Sequence, residues 1–368
     1  MLLPTPLITP DLKARLDELD ELRRILGKES HRPARWMGTL RRLLQASVVE
    51  GSTAIEGFHV STEEALGLLG GEQQAQPGEE DRLAVACYGH AMDHVATMAG
   101  DPTFRWVDRV ILDLHFDACW SQPQANPGLW RTGPVGITGG DGRLVYQGPD
   151  AREVPGLMAE TVRWLQKADL STHVVVRAAM AHLHVISIHP FRDGNGRVSR
   201  IVQSLVLARE GLLSTEFGSI EEHLGKNTPA YYAALQEAHG ESYEPDRDVT
   251  GWVAFCIDAH LAQARRRLAQ IEKAAARWTF LEELVECRGW PERIVIALEQ
   301  SLIGGCTRTL YRRDADVALA TASADFRRLL DAGLVLQRGQ GRTTRYYASE
   351  QLRGALDAHV ETDAKGFG

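Results

Sequence analysis

The sequence has few cysteines, and none of them forms a motif. Its 368 residues include five: Cys87, Cys119, Cys256, Cys287 and Cys306. Their number is odd, no Cys-x-x-Cys pair occurs, and the spacing fits neither a disulfide framework nor a zinc site. This pattern is typical of a reducing compartment, so we expect a cytoplasmic protein.

Long apolar runs and a positive charge excess are also missing. No stretch approaches the roughly 18–20 apolar residues that cross a bilayer, and Met1 to Pro6 do not read as a signal peptide, so we expect no membrane partner. Lysine and arginine number 41 against 49 acidic residues, a net charge of −8, which disfavours nucleic-acid binding over the whole surface. Hydrophobic residues at 44% exclude wholesale disorder, and the length predicts two or three domains.

Helical periodicity dominates the sequence. Leucines recur at helical spacing after Asp11, and a second helical stretch over 35–49 runs into Gly51. Ser61 and Glu64 form a capping-box signature for a short helix. Further helical patterns cover seven stretches: 81–98, 106–119, 153–168, 173–187, 200–211, 228–238 and 248–275. The sequence therefore predicts a mainly α fold.

One segment interrupts the helices. Between Asn126 and Pro149 the chain is rich in glycine and has short β-prone pieces at 135–137 and 144–146. The turn signal at 139–142, Gly-Gly-Asp-Gly, predicts a small β-hairpin between them. A hairpin isolated among helices is a marginal fold element, so we interpret it as a flap over a site, with a plain surface loop as the alternative.

The C-terminal part has a different pattern. Residues 276–350 contain helical pieces, a helix over 318–332, and two β-prone stretches around a turn, an order typical of a winged helix. Basic residues exceed acidic ones within 301–347 by 8 − 4 = 4. Such a unit binds DNA or docks a protein. Protein docking is favoured, because Asp325 lies on the helix that would enter a groove.

The residues that carry chemistry lie at 189–200, His-Pro-Phe-Arg-Asp-Gly-Asn-Gly-Arg-Val-Ser-Arg. The Gly194-Asn195-Gly196 run lets backbone amides converge on an anion, and the helix that follows points its positive end there. Asp193 offers a hard oxygen for Mg²⁺, and His189 is suited to take a proton from a hydroxyl. Arg197 and Arg200 are three residues apart, which predicts two phosphate-binding guanidinium groups on one helix face.

This segment resembles the signature of the Fic domain family, His-x-Phe-x-Asp/Glu-Gly-Asn-Gly-Arg-x-x-Arg, and every fixed position matches. The segment from Pro127 to Arg131 also resembles the family's approach to its flap. The resemblance implies a mainly α, Fic-type helical bundle with a small β-hairpin flap and a C-terminal winged-helix unit. Residues 1–100 would form an N-terminal helical region with an inhibitory motif, 101–260 the Fic catalytic core, and 261–368 the winged-helix domain and tail.

The same resemblance implies a protein adenylyltransferase, which transfers AMP from ATP to a Ser, Thr or Tyr hydroxyl of a target protein and of itself. His189 would deprotonate the hydroxyl, and Asp193 would hold Mg²⁺ on the phosphates. Residues 194–196 would bind phosphate oxygens, Arg197 the departing pyrophosphate, and Arg200 the γ-phosphate. ATP and Mg²⁺ are the implied cofactors.

Further nucleotide contacts are implied by the family pattern. Those at the flap edge are Leu144, Val145 and Tyr146. Tyr231 and Tyr232 resemble the tyrosine pair beside the nucleotide base, with ordinary helix packing as the alternative. His239 stands where the family often carries Asn, so that contact is not carried over.

A second motif, Ser52-Thr53-Ala54-Ile55-Glu56-Gly57, is similar to the family's inhibitory helix pattern, Ser/Thr-x-x-x-Glu-Gly/Asn. The resemblance implies that Ser52, Glu56 and Gly57 form a brake in which Glu56 pairs with Arg200. The alternative is a helix end with a glycine stop and a solvated carboxylate. At ~4 Å and an effective dielectric constant of ~20, opposite charges attract by about 4 kcal/mol before desolvation.

Several alternatives stay open at the level of sequence. The site can instead remove AMP from a modified protein by hydrolysis, with Glu56 orienting the water. The scaffold can transfer phosphate or another nucleotide. The chain can instead be a DNA-binding regulator whose Fic core only senses a nucleotide. Formation of a homodimer and DNA binding by the C-terminal unit are likewise open.

Overall fold

The computed structural model describes residues 1–138, 144–167, 172–341 and 344–366, with side chains up to residue 359. The turn predicted at 139–142 lies outside these ranges. The chain divides into two compact units: Met1–His31 with Leu44–Arg267, and Arg32–Leu43 with Leu268–Gly368. The predicted domain limits near residues 100 and 260 stay predictions.

The helices up to the C-terminal part are, in chain order, α1 (Pro10–Ser30), α2 (Met37–Ile55), α3 (Thr62–Leu69), α4 (Glu80–Gly100), α5 (Asp108–Cys119), α6 (Val154–Lys167), α7 (Val174–Ile188), α8 (Asn195–Ala208), α9 (Thr215–Gly218), α10 (Glu221–Lys226), α11 (Thr228–His239) and α12 (Thr250–Cys287). The mainly α fold is thus confirmed. The last of these helices passes the predicted end at 275. No helix in the described ranges is long and apolar enough to cross a membrane.

Helices α7 and α8 form the centre of the first unit. In α7 every residue except Arg177 is buried. A helix that is buried on all sides is stable only inside a protein, where neighbouring helices cover each face. The short connection from α7 to α8 carries residues 189–194, so the ends of the two central helices hold the motif in place.

The predicted hairpin is present. Strands β1 (Gly136–Thr138) and β2 (Leu144–Gln147) pair antiparallel, with Ile137 opposite Tyr146. The second strand is also fixed to the bundle, because Tyr146 Oη donates a hydrogen bond of 2.5 Å to the Ser187 carbonyl. The Gln147 amide donates to the Glu241 carbonyl at 2.9 Å. These contacts hold the hairpin against α7 and the segment after α11.

The second unit contains the C-terminal part of the chain. Its further elements are α13 (Ile294–Ile303), α14 (Arg308–Ala315), α15 (Leu319–Asp331), β3 (Val335–Arg338), β4 (Arg345–Ala348) and α16 (Glu350–Gly366). The two strands pair antiparallel, from Val335 opposite Ala348 to Arg338 opposite Arg345. Helix α16 was not predicted. The helices and the hairpin occur in the predicted order, and the winged-helix assignment itself stays a prediction.

Asp325 has a different position from the one that argued against DNA binding. Its side chain is 1% exposed, accepts a hydrogen bond from Tyr311 Oη at 2.8 Å, and forms a two-point ion pair with Arg293. A buried carboxylate needs such partners to offset its lost hydration. Asp325 is therefore an internal structural residue, and its charge is no objection to a groove-binding helix.

We expect Asp325→Ala to lower the free energy of unfolding by about 3 kcal/mol, because it leaves the Arg293 guanidinium and the Tyr311 hydroxyl without their shared partner. Chemical denaturation followed by circular dichroism measures the change. Asp331→Ala removes an exposed carboxylate from the same helix and is expected to change stability by less than ~0.5 kcal/mol. Equal losses in the two variants would contradict this account.

Candidate functional site

A cavity of about 710 Å³ lies where α7 meets α8. The predicted site residues that line it are Glu56, Val145, Tyr146, His189, Asp193, Gly194, Asn195, Gly196, Arg200, Tyr231 and Tyr232. Four other predicted site residues are not among the described residues that line the cavity: Leu144, Arg197, Ser52 and Gly57. The structure thus brings most of the predicted set to one place from positions far apart in sequence.

The loop that begins at His189 is closed by a single side chain. Asn195 Oδ1 accepts a hydrogen bond from the Phe191 amide at 2.9 Å, and its Nδ2 donates to the Phe191 carbonyl at 3.0 Å. Gly194 has φ +78°, and a Cβ there would lie 2.4 Å from Cys119 Sγ. Only glycine satisfies both the left-handed backbone and this close approach. The loop therefore presents its amides at the first turn of α8 in one fixed shape.

His189 is held as a neutral base. Its Nδ1–H donates to the Ile186 carbonyl at 3.2 Å, which leaves the lone pair on Nε2. Burial lowers the pKa of His189 below its ordinary value, and the bond to Ile186 only partly opposes this. The imidazole is therefore unprotonated at neutral pH, as a general base must be.

Arg131, which sequence analysis left without a role, holds this histidine to the hairpin. Its Nε donates to the His189 carbonyl at 2.8 Å, and its two terminal nitrogens donate to the carbonyls of Gly133 and Pro149 at 2.8 and 2.6 Å. Those two carbonyls lie on either side of the β1–β2 hairpin. One buried guanidinium thus fixes the hairpin and His189 relative to each other.

His115 is a second residue that sequence analysis did not identify. Its Nδ1 accepts from the Gly128 amide at 2.9 Å, so its Nε2–H donates to the Asp193 carbonyl at 3.1 Å. The ring stacks on Phe191 with centroids 3.7 Å apart. Burial lowers the pKa of His115 to about 4, which keeps it neutral. No local motif marks this residue, because its partner lies far along the chain.

Asp193 is exposed within the cavity, and its Oδ1 accepts from the Gly194 amide at 2.6 Å. Among the residues that the structure describes, none donates a hydrogen bond to its second carboxylate oxygen. Across the described ranges, no three His, Cys, Asp or Glu side chains form a metal cluster. Mg²⁺ commonly takes one or two carboxylates and completes its shell with water and substrate phosphates, so Asp193 fits that ion.

Arg200 and Glu56 form the predicted pair. Arg200 is 1% exposed, and its Nη2 lies 2.8 Å from Glu56 Oε1, while Ser52 accepts from Nε through Oγ at 2.7 Å. Burial is the largest single effect and opposes the positive charge, but Glu56, Tyr231 and Tyr88 together outweigh it and raise the pKa of Arg200. A Cβ on Gly196 would lie 2.4 Å from Glu56 Oε1, so this carboxylate covers the anion-binding end of α8.

Arg197 does not join Arg200. Its Nη1 donates to the Ala118 carbonyl at 3.0 Å and its Nη2 to Gln122 Oε1 at 2.6 Å, and the residue is 1% exposed. The carbonyls at the end of α5 lack partners within the helix and attract this guanidinium. Arg197 and Arg200 therefore do not form the single phosphate-binding face that their spacing predicted. Leu144 likewise is 56% exposed outside the cavity.

The two tyrosines of α11 lie at the other side of the cavity. Tyr232 Oη donates to the Ile55 carbonyl at 3.1 Å, next to Glu56. Tyr231 Oη donates to His182 Nε2 at 3.0 Å, and His182 Nδ1–H donates to Gln203 Oε1 at 2.6 Å. The centroids of the Tyr231 and Tyr232 rings are 5.5 Å apart. This buried network fixes the Tyr231 ring as part of the wall.

Comparison with known proteins supports the class that the fold and the site suggest. Residues 106–207 match the Fic/DOC family model. "Protein adenylyltransferase Fic" of Drosophila erecta is 44% identical over 82 residues, which are 20% of this chain and 17% of that protein. A probable protein adenylyltransferase of Aquifex aeolicus is 36% identical over 93 residues, 25% of this chain and 26% of that protein. The chain thus matches only about a quarter or less of either relative.

Solved structures agree on the fold. A Fic family protein from Desulfovibrio desulfuricans superposes with a TM-score of 0.59 at 20% identity, over 94% of this chain and 98% of that chain. A Fic domain containing signaling protein from Bacteroides thetaiotaomicron gives 0.57 at 19%, over 70% and 97%. Identities this low show the fold alone. Together with the family match, they establish that the chain carries a Fic/DOC-family domain in a Fic-type fold.

The buried network predicts loss of stability in acid. Burial lowers the pKa of His182 to about 3, whereas an unfolded histidine titrates near 6.5. Below pH 6.5 the unfolded chain binds a proton that the folded chain refuses, so the free energy of unfolding falls as the pH drops. At pH 5 the loss from this one residue is about 2 kcal/mol.

We expect His182→Gln to lose about 2 kcal/mol less stability than the wild type between pH 7 and pH 5. Urea unfolding at the two pH values measures this difference, independent of how stable the variant is at pH 7. His59→Gln, at an exposed position, is the control and is expected to keep the wild-type dependence. An unchanged pH dependence in His182→Gln would show that this histidine accepts a proton in the folded state.

Proposed function

We propose that this protein is an adenylyltransferase that transfers AMP from ATP to a Ser, Thr or Tyr hydroxyl of a protein, and that Glu56 restrains it. One observation carries the proposal. His189, neutral and with its Nε2 lone pair available, lies in the same cavity as the anion cradle, the backbone amides of residues 194–196, and the buried Arg200. A base for a hydroxyl and a holder for a polyphosphate are the two parts that nucleotidyl transfer needs.

In this mechanism His189 Nε2 takes the proton of the target hydroxyl as its oxygen bonds to the α-phosphorus. The bond from that phosphorus to the bridging oxygen breaks, and pyrophosphate leaves with the electron pair. The amides of residues 194–196, at the positive end of α8, stabilise the charge on the phosphate oxygens. Mg²⁺, when bound, neutralises phosphate charge, and Asp193 is the residue that would hold it.

The hairpin supplies the position of the target. Arg131 binds the His189 carbonyl and both ends of the hairpin, so a chain held by the hairpin meets the base at a set distance. Val145 and Ile137 line the cavity from this side. Holding two reactants in a fixed arrangement is a major source of rate in such transfers, because it removes the entropy cost of meeting.

Glu56 acts as the brake because it pairs with Arg200, the residue that would bind the γ-phosphate of ATP. Its carboxylate pairs with Arg200 at 2.8 Å and covers Gly196 at the start of α8. A phosphate that entered this position would face a like charge and an arginine already paired. Hydrolytic removal of AMP, with Glu56 orienting the water, would use the same contacts.

For the second unit we propose a winged-helix module that docks a protein. Leu319 on α15 and Leu336 on β3 are about half exposed, and apolar side chains suit a protein surface better than a phosphate backbone. Arg327 and Arg328, exposed on α15, support DNA as the alternative partner.

Transfer from differently labelled ATP tests the reaction. Glu56→Gly protein is incubated with Mg²⁺, cell lysate, and ATP labelled on either the α- or the γ-phosphate. We expect protein-bound label from α-labelled ATP alone. Label from the γ-phosphate alone would indicate phosphate transfer, and no label from either, with ATP bound, would favour a nucleotide-sensing regulator.

His189→Ala is expected to abolish AMP transfer in the Glu56→Gly background, because the base is gone, while ATP affinity stays within about twofold. Isothermal titration calorimetry measures the binding, and α-label incorporation measures the transfer. His59→Ala, on the surface, is the matched control with full activity. Transfer at the parental rate in His189→Ala would rule out this histidine as the base.

Glu56→Gly is expected to raise self-modification at least tenfold, since losing ~1.4 kcal/mol of competing attraction changes an equilibrium by that factor. Adding Arg200→Ala is expected to remove this increase, because the γ-phosphate then has no freed arginine to bind. Initial rates at ATP concentrations well below saturation provide the measurement, because saturating nucleotide would overcome a competing attraction. Equal rates for wild type and Glu56→Gly would mean that no brake exists.

A further inference from the structure

Two glycines bring the inhibitory helix α2 and the short helix α10 together backbone to backbone. A Cβ on Gly225 would lie 2.5 Å from the Gly51 carbonyl oxygen and 2.7 Å from its Cα. A Cβ on Gly51 would lie 2.6 Å from the Glu221 carbonyl oxygen and 2.9 Å from the Glu222 Cα. Carbon atoms do not pack this closely against a backbone, so neither position accepts a side chain without movement.

Backbone conformation does not require either glycine. Both lie within helices, and neither is among the glycines with positive φ. Glycine is among the poorest helix formers and alanine is the best, so glycine at these two positions weakens each helix by itself. The close approach of the two helices is what these glycines provide.

Helix α10 is the anchored side of this contact. Glu222 is 3% exposed and pairs with the fully buried Arg267, and also with Arg266 at 2.8 Å. Its neighbour Glu221 accepts a hydrogen bond from Ser204 Oγ of α8 at 2.6 Å. Buried ionic and hydrogen-bonded groups are costly to displace. If the two helices are forced apart, α2 is therefore the one that moves.

On the side of α2 the contact directly precedes the brake. Ser52 follows Gly51 and accepts from Arg200 twice, through Oγ at 2.7 Å and through its carbonyl at 3.1 Å. Glu56, one turn further along, accepts from the same arginine at 2.8 Å. The distance between Gly51 and α10 thus determines whether Ser52 and Glu56 can reach Arg200.

We propose that the Gly51–Gly225 contact is the seat of the inhibitory helix, a positioning element that holds Ser52 and Glu56 on Arg200 from outside the nucleotide cavity. Neither glycine lines that cavity, so the strength of the brake is set by packing at a point that touches no substrate. The activity readout of this inference rests on the proposed transfer reaction. Its binding readout does not need that reaction, and rests only on the proposed competition between Glu56 and the nucleotide.

Gly225→Ala is the variant that tests the seat. Restoring an ordinary contact around the new methyl requires α2 to move by about 1 Å, which takes hydrogen bonds of 2.7–3.1 Å beyond the limit of ~3.5 Å. In a His189→Ala background, which prevents turnover, we expect ATP to bind about tenfold more tightly by calorimetry. With His189 present, we expect self-modification to rise by a similar factor.

Three further variants make the result specific. Gly51→Ala crowds the same contact from the other side and is expected to act like Gly225→Ala. Gly156→Ala in α6 has no heavy atom within 4 Å of the added carbon and is expected to leave ATP affinity and self-modification unchanged. The double variant Gly225→Ala/Glu56→Gly is expected to have the ATP affinity of Glu56→Gly alone, because both changes act by removing the Glu56–Arg200 pair. Thermal denaturation verifies that each variant is folded.

The outcomes separate this inference from the proposed function. If folded Gly225→Ala and Gly51→Ala keep wild-type ATP affinity while Glu56→Gly binds more tightly, the seat is overturned. If all three bind more tightly but none transfers AMP, the seat stands and the proposed reaction falls. If Gly156→Ala behaves like the other two glycine variants, the effect comes from helix propensity and the seat is again overturned.

Discussion

The positive charge of Arg200 is the constraint on which the site depends. A guanidinium removed from water costs several kcal/mol unless anions and hydrogen-bond acceptors replace its hydration. Here α8 is central and buried, so the charge cannot reach solvent, and Ser52 and Glu56 supply the replacement. A carboxylate therefore occupies the start of α8 beside this buried charge. Under the proposed function, the protein's own carboxylate and a nucleotide phosphate are alternatives for this single position.

The rest of the site is held mainly by backbone groups. Arg131 and His115 act on carbonyls, and Asn195 closes its loop through one amide and one carbonyl. Such contacts do not depend on whether Glu56 is in place. His189 and the amides of residues 194–196 are therefore already arranged while Glu56 is paired with Arg200. Under the proposed function, release of Glu56 has only to exchange one anion for another. Pre-arranged groups of this kind lose little entropy when a substrate binds.

Local patterns in the sequence identified much of this architecture, because they report local energetics. Helical periodicity found the helices, turn residues found the hairpin, and the residue types at 189–200 found the anion site. The roles of Arg131 and His115 could not be predicted, since each acts on a residue more than fifty positions away. His115 lies in no motif, and the segment that ends at Arg131 gave no sign of its contact with His189. The direction of Arg197 was missed for a related reason. Helical spacing places its Cβ on a face, but the carbonyls of another helix decide where its guanidinium lies.

The exchange at Arg200 has a consequence for how the protein would sense its surroundings. When a ligand binds only the state in which an internal competitor has left, its apparent dissociation constant is the intrinsic one divided by the fraction of molecules in that state. A carboxylate carried on the chain is present at a constant effective concentration, whereas free nucleotide varies. Under the proposed function, the Glu56–Arg200 pair thus sets a threshold: the stability of this one ion pair determines the nucleotide concentration at which half the molecules respond.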